Sequence, residues 1–346
     1  MERMKLKIGL HSTDFKKGTG PGTYLAAIRK SLPEIHYLCD AVPGAARETD
    51  LVHLVDAKRA GIHEVKSMGV PVVADFHDDY WVTYTPWPGP DRPIRWARQK
   101  QLRRHHLDII SMAGAVVVHS HAVARTIGPE VEAVFEEKGT TAPEVFVVPY
   151  GIDPSLFEPG PPSGQADKTY VLFVGRDIFR KGFSTLVKAM PSIISQVPDA
   201  ELVVIGDEYL HTSIAAKFMS RNLPVTFLPE MGREELNGWY KKASVLVLPS
   251  FQEAFGITLI EAMASNLPVV AADTGGIPEA VEDGISGLLH EPGNHEDLAE
   301  KTVSILLNEE LRGDLIKGGA KRALAFPREI MIDALDRVYQ SVMELS

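Results

Sequence analysis

The sequence predicts an α/β protein of two doubly wound parallel-sheet domains facing each other across a cleft. Three observations carry that reading: a length of 346 residues, short apolar runs alternating with helix-length segments, and a Pro/Gly-rich stretch midway that divides the runs into two series. At roughly 100–200 residues per domain, the length accommodates two cores. The composition, 45% hydrophobic and 24% charged, is that of a globular protein and excludes disordered and fibrous classes.

The first series is Lys7–Leu10, Leu51–Val55, Pro71–Asp75, Ala115–His119 and Val145–Val148. The second is Tyr170–Val174, Glu201–Ile205, Val225–Leu228, Val245–Leu248, Pro268–Ala272 and Gly287–His290. Strands covered by helices on both faces of a parallel sheet need such continuous apolar runs. Between the series, Gly151-Ile-Asp-Pro through Glu158-Pro-Gly-Pro-Pro-Ser-Gly164 reads as a linker, placing the domains at 1–163 and 164–326. After Pro327, the segment Glu329–Leu345 carries Ile330, Ile332, Leu335, Val338, Val342 and Met343 at helical spacing. It predicts a terminal helix that could cross back to the first domain.

Charge and cysteine content narrow the function classes. A net charge of -10 argues against a general nucleic-acid binder, which needs positive surface to displace counterions. Cys39 is the only cysteine, so no intrachain disulfide or Cys-based metal site forms, and a buried, inert thiol is expected. No run approaches the ~18 apolar residues of a spanning helix, and MERMKLKIGL leads into a strand without a signal-peptide core. A cytoplasmic protein is expected.

Four stretches carry residues suited to chemistry. Pro249-Ser-Phe-Gln-Glu-Ala-Phe-Gly-Ile-Thr-Leu-Ile-Glu-Ala-Met-Ala264 reads as a loop and helix after the run Val245–Leu248. A helix starting near Gly256 directs unpaired N–H groups at an anion beyond the strand ends. Glu253 in the loop and Glu261 inside the helix would face opposite ends of one ligand, a sugar hydroxyl and a ribose diol. The bland alternative is a loop acid and a solvated helix acid. The second stretch, Val174-Gly-Arg-Asp-Ile-Phe-Arg-Lys-Gly182, sets Arg176, Arg180 and Lys181 beside a helix start, a place that attracts anions rather than cations. A bound diphosphate resolves this; solvated surface charges are the alternative.

The third stretch, Gly18-Thr-Gly-Pro-Gly-Thr-Tyr24, reads as a glycine-rich turn before a helix Tyr24–Ser31. Its spacing is not G-x-G-x-x-G, so an NAD-dependent dehydrogenase loses its main support. The fourth, Ala74-Asp-Phe-His-Asp-Asp-Tyr-Trp81, ends a strand with His77, either a functional or a satisfied structural histidine. No D-x-D occurs, so the carboxylate grip on a metal–diphosphate complex is missing and cationic side chains take its place; neither metal nor cofactor is expected.

These residues resemble the retaining glycosyltransferases of family 4, which have the GT-B fold of two Rossmann-like domains. In the second half the resemblance rests on Val174-Gly-Arg with Lys181-Gly182, Pro249-Ser, Glu253-Ala-Phe-Gly256, Glu261-Ala-Met-Ala264, Pro268-Val-Val270, Gly275-Gly-Ile-Pro-Glu279 and Asp283-Gly with Gly287. In the more divergent first half it rests on Gly20-Pro-Gly-Thr-Tyr24, His77-Asp78 and Val148-Pro-Tyr-Gly-Ile-Asp153. Tyr150 stands where the family often has Asn, and Ala254 where Gly is commoner.

The resemblance implies a nucleotide-sugar donor, UDP-linked foremost with GDP-linked as the variant, and a sugar, lipid-linked or small-molecule acceptor. It implies that Arg176, Arg180, Lys181, Gly20, Gly22 and the helix start Gly256-Ile257-Thr258 hold the diphosphate. Glu253 with the backbone of Ala254, Phe255 and Gly256 would hold the sugar, His77 would lie beside it, Glu261 would take the ribose, and the base would rest against Leu228, Pro229 and Glu230. His77, Glu253, Arg176 and Lys181 are the expected catalytic residues. An epimerase or hydrolase sharing the donor site is the nearest rival; a non-catalytic sugar-nucleotide binder would be expected to have lost a charged contact. The segment Asp79–His106 gathers Trp81, Trp87, Trp96 and the cations Arg95, Arg98, Arg103 and Arg104. It predicts either an acceptor wall or peripheral contact with an anionic membrane.

Overall fold

The structure, a computed structural model, describes residues 4–11, 20–40, 48–57, 60–79, 82, 92–157, 168–206 and 210–345. Two compact units result. One is Ile152–Pro327; the other joins the residues up to 79, Pro93–Gly151 and Arg328 onward.

The first unit runs β1 (Lys7–His11), α1 (Gly20–Ser31), β2 (Tyr37–Asp40), β3 (Leu51–Leu54), α2 (Ile62–Met68), β4 (Val72–Phe76), α3 (Arg92–Ile110), β5 (Ala115–Val118), α4 (His121–Lys138) and β6 (Glu144–Val147). Its sheet is parallel in the order β2-β1-β3-β4-β5-β6. β3, β4 and β5 are buried throughout, as helices on both faces require. Ser120 caps α4 by accepting from the Val123 amide, and Gly139 ends it at φ 63°.

Three sequence expectations are corrected here. β2 was absent from the expected strands, because an edge strand of sequence YLCD is half exposed and carries no apolar run. Cys39, expected to be buried, lies partly exposed on that edge as a free thiol. The helix expected from Tyr24 begins at Gly20, so Gly20 and Gly22 belong to its first turn and not to a preceding loop. Pro21 allows this, since a first-turn residue needs no N–H and proline presets the helical φ.

The second unit runs β7 (Thr169–Val174), α5 (Phe183–Gln196), β8 (Ala200–Ile205), α6 (Leu210–Met219), β9 (Val225–Leu228), α7 (Arg233–Lys242), β10 (Val245–Leu248), α8 (Ile257–Ala264), β11 (Val269–Ala272), α9 (Ile277–Ala280), β12 (Leu288–His290), α10 (His295–Leu307) and α11 (Glu309–Ala323). Its parallel order is β12-β11-β10-β7-β8-β9. Strand order therefore reverses between β7 and β10, and ligands of such sheets bind outside the carboxyl ends at that switch point.

The last helix, α12 (Arg328–Glu344), belongs to the first unit. Met331, Leu335, Val338 and Val342 form its buried face, while Ile330 stays exposed. Two buried polar contacts fix its register: His36 Nε2 lies 2.9 Å from Asp336 Oδ1, and His53 Nδ1 lies 2.7 Å from the Tyr339 hydroxyl. Among the described residues no helix is long and apolar enough to cross a membrane.

Candidate active site

In the second unit, two loops meet at the switch point, Gly175–Gly182 after β7 and Pro249–Gly256 after β10. Gly182 makes their approach feasible: at φ 82°, a Cβ there would sit 1.7 Å from the Pro249 carbonyl oxygen. The Phe251 amide donates to the Arg180 carbonyl at 2.9 Å, and the Arg180 guanidinium donates to the Gln252 carbonyl at 3.0 Å. On the other side, the Gly276 amide donates to the Glu253 carbonyl at 2.9 Å. Gly275, at φ 54°, lies so close to that carbonyl that a Cβ would come within 2.0 Å of it. Glu253 is thus held by backbone on both sides, as a residue contacting a ligand should be.

Its carboxylate forms a buried ion pair with Lys181 Nζ and accepts from the Ser250 hydroxyl at 3.3 Å. Burial alone would raise the Glu253 carboxyl, yet Lys181 and Arg180 prevail and hold it below the ordinary carboxylate value. Burial likewise pulls the Lys181 ammonium down, with Arg180 adding to the effect and Glu253 opposing it. Arg180 Nε also donates to Asp177 Oδ2 at 3.3 Å, and Arg176 Nε approaches Glu230 Oε2 at 3.9 Å. The cations that look unbalanced in sequence are thus answered in part by the protein's own acids.

Gly256, at φ 90°, caps α8, and Ile257 and Thr258 in the first turn are only partly buried. First-turn amides have no intrahelical acceptor and sit at the positive end of the helix dipole, so this terminus suits a phosphate. The Ala254 and Phe255 side chains are buried, Phe255 packing edge-on against Phe326 at 5.2 Å. Leu228 ends β9, with Pro229 exposed and Glu230 half buried after it.

Glu261 is no solvated helix acid. It is 3% exposed, with Arg233 Nη2 at 3.1 Å from one oxygen and the Tyr240 hydroxyl donating to the other at 3.0 Å. Burial raises its carboxyl above the ordinary value although Arg233 and Tyr240 pull it down. Sequence reasoning missed these two partners. Both lie on α7, seven residues apart and hence on one helix face, which was the available signal.

In the first unit, His77 follows β4 at the carboxyl end of the sheet and is 7% exposed. The neighbouring buried groups, missed in sequence, are Asp75 on the same strand, His53 on β3, His119 after β5, Tyr150 after β6, and Tyr24 on α1. Burial would raise the Asp75 carboxyl; the neighbouring His119 and His77 and the hydrogen bond from His53 hold it well below the usual range. Ligand atoms of Asp75, His77 and His119 lie within 4.8 Å of one another. The His77 and His119 rings are stacked, however, at 4.6 Å and 19°. Parallel rings do not aim their in-plane lone pairs at one point, and the contacts around them are those of a hydrogen-bonded network.

Of the remaining candidates, Trp81 and Trp87 lie outside the described residues. Arg95, Trp96 and Arg98 fall on α3, their side chains likewise outside. Arg103 pairs with Glu130 of α4 at 2.6 Å. Together with Lys100, Arg104 and Lys138 it lines a groove of about 550 Å³ between α3 and α4.

Fold and geometry together define an α/β protein with a candidate anion site at the switch point of its second sheet. Residues 161–322, most of the second unit, match the family model of glycosyl transferases group 1. A D-inositol 3-phosphate glycosyltransferase of Corynebacterium jeikeium is 31% identical over 232 residues, 62% of this chain and 55% of the relative. The chain spans about half the length of the first curated relatives it matches, 55% and 50%. Among solved structures, sucrose-phosphate synthase from Thermosynechococcus elongatus superposes with a TM-score of 0.78 at 21% identity, covering 99% of this chain and 100% of that one. Anabaena HepE in complex with UDP and glucose also gives 0.78, at 19% identity, with 97% and 100% covered. The fold is therefore that of the GT-B enzymes, two Rossmann-like units in one chain.

Proposed function

We propose that the protein transfers a sugar, with retention at the anomeric carbon, from a nucleoside diphosphate sugar to a hydroxyl acceptor. The observation that carries this is the buried Lys181–Glu253 pair, braced by Arg180 beside the α8 N-terminus at the β7/β10 switch point. A departing diphosphate gains negative charge as the glycosidic C–O bond breaks. Fixed cations and helix amides stabilise that charge without a metal. Glu253 accepts from sugar hydroxyls, Glu261 from the ribose diol, and His77 attends the transferred sugar. UDP is the favoured nucleotide, the one bound by the Anabaena structure.

The test is thermal stabilisation by UDP, GDP and ADP sugars, followed by product analysis with chelator present. Saturation at ~100 times the dissociation constant adds about 2.7 kcal/mol of stability. Acceptor-dependent release of nucleoside diphosphate in chelator is expected. Release without acceptor identifies a hydrolase, and loss of transfer that magnesium restores overturns the metal-free mechanism.

A further inference from the structure

The rings around His77 are satisfied in one consistent way. His77 Nε2 lies 3.2 Å from the Val55 carbonyl oxygen, which only accepts, so that nitrogen carries a hydrogen. His77 Nδ1 faces the Tyr150 hydroxyl, which donates to it when the imidazole is neutral. His119 Nδ1 lies 2.8 Å from the Val148 carbonyl oxygen and its Nε2 lies 2.9 Å from Asp75 Oδ1. His119 Nδ1 thus donates to the Val148 carbonyl, and the Asp75 carboxylate lies beside its Nε2. The His119 ring stacks on His77 at 4.6 Å and on Tyr150 at 4.1 Å, while the Tyr24 ring closes the stack edge-on, 5.2 Å from His77 and 4.9 Å from His119.

We propose that Tyr150 and the buried Asp75–His119 pair are positioning residues that hold His77 as its neutral, Nε2-protonated tautomer in one ring orientation. Two forces combine. Tyr150 occupies Nδ1 with a donor, and which nitrogen of a histidine carries the proton is set by the bond the other makes. The His119 ring, stacked on the His77 face, and the Tyr24 ring, edge-on to it, fix the plane of His77. Asp75 lies 2.9 Å from His119 Nε2 and accepts from His53 Nε2 at 3.2 Å, which orients the carboxylate. With Nε2 given to Val55 and Nδ1 to Tyr150, His77 presents a ring of one fixed orientation.

The catalytic consequence rests on the assignment of His77 to the donor sugar, whereas the tautomer does not. The full-length chain labelled with nitrogen-15 at histidine, with His77 identified by its loss in His77→Gln, reports each ring by long-range proton–nitrogen correlation. The parent protein is expected to show His77 protonated at Nε2 alone. In Tyr150→Phe, which keeps the stacked ring, the Nδ1 shift should move toward a mixed or protonated state. Turnover should fall about tenfold with unchanged affinity for free nucleoside diphosphate, as expected when orientation and not the group is lost. His77 protonated at Nδ1 in the parent, or an unmoved tautomer in Tyr150→Phe, overturns the proposal. A shifted tautomer with parental turnover overturns the positioning role. Undiminished transfer by His77→Gln overturns instead the placement of His77 at the sugar and leaves the tautomer result standing.

Discussion

Replacing Lys181 by Met removes the lysine paired with Glu253 and leaves a carboxylate whose side chain is 10% exposed. Breaking a buried pair from one side costs about 3–5 kcal/mol, because the orphaned charge keeps its desolvation penalty. The Ser250 hydroxyl and the Arg180 guanidinium remain near Glu253 and soften the loss, so about 3 kcal/mol is expected here. Glu253→Gln strands the ammonium and should cost a similar amount. The double variant strands neither charge. It should lie within about 1–2 kcal/mol of the parent, a coupling of several kcal/mol in the double-mutant cycle. Urea unfolding at neutral pH, followed by far-ultraviolet circular dichroism, measures all four corners. Turnover behaves differently, since every variant loses a group that stabilises the transition state and should fall roughly 10²-fold or more. Single effects that add within ~0.5 kcal/mol would refute the reasoning, since contacting residues of a buried pair should couple.

Glu261→Gln should weaken binding of free nucleoside diphosphate, read by calorimetry. In the parent that affinity should decline as pH falls through the raised Glu261 value, since protonation removes an acceptor of the ribose diol. Asp75 is held well below its ordinary value of 3.8, so the stability it contributes is present above that value and is lost as pH falls through the folded-state value. Asp75→Asn should therefore cost about 3 kcal/mol at neutral pH, with the gap from the parent closing in acid; a constant gap in unfolding experiments across the acid range contradicts the linkage. If α3 touches membrane, co-sedimentation with anionic vesicles should fall with salt and vanish when Arg95, Arg98, Arg103 and Arg104 are neutralised. Protein that stays in the supernatant at low salt makes the groove between α3 and α4 an acceptor wall.

What was legible in the sequence followed from chain continuity. The candidate anion site of the second unit comes from two uninterrupted stretches, 174–182 and 249–264, whose glycines mark where backbone must approach backbone, and both stretches follow strands that the apolar pattern reveals. Local spacing therefore sufficed to nominate Arg176, Lys181, Glu253 and Glu261. It did not reveal what surrounds them. Lys181 and Glu253 are 72 residues apart and Arg233 and Glu261 are 28 apart, and only the adjacency of β7 and β10 and the packing of α7 bring them together.

The network around His77 was hidden for a sharper reason. Its members come from α1, β3, β4, the residues after β5 and β6, and α12, with His53 and Tyr339 separated by 286 positions. Each is a lone polar residue in or beside an apolar run, which reads in sequence as an imperfection. Register turns those imperfections into a group. Asp75 and His77 share a sheet face because they are two apart, and Phe76 pairs with Val118, so His77 lies level with His119 one step further on. A slip of one residue between β4 and β5 would send these polar groups to the opposite face, each buried without its partner. The network therefore selects its own register, and the polar groups that weaken the strand signal in sequence help hold the folded sheet in alignment.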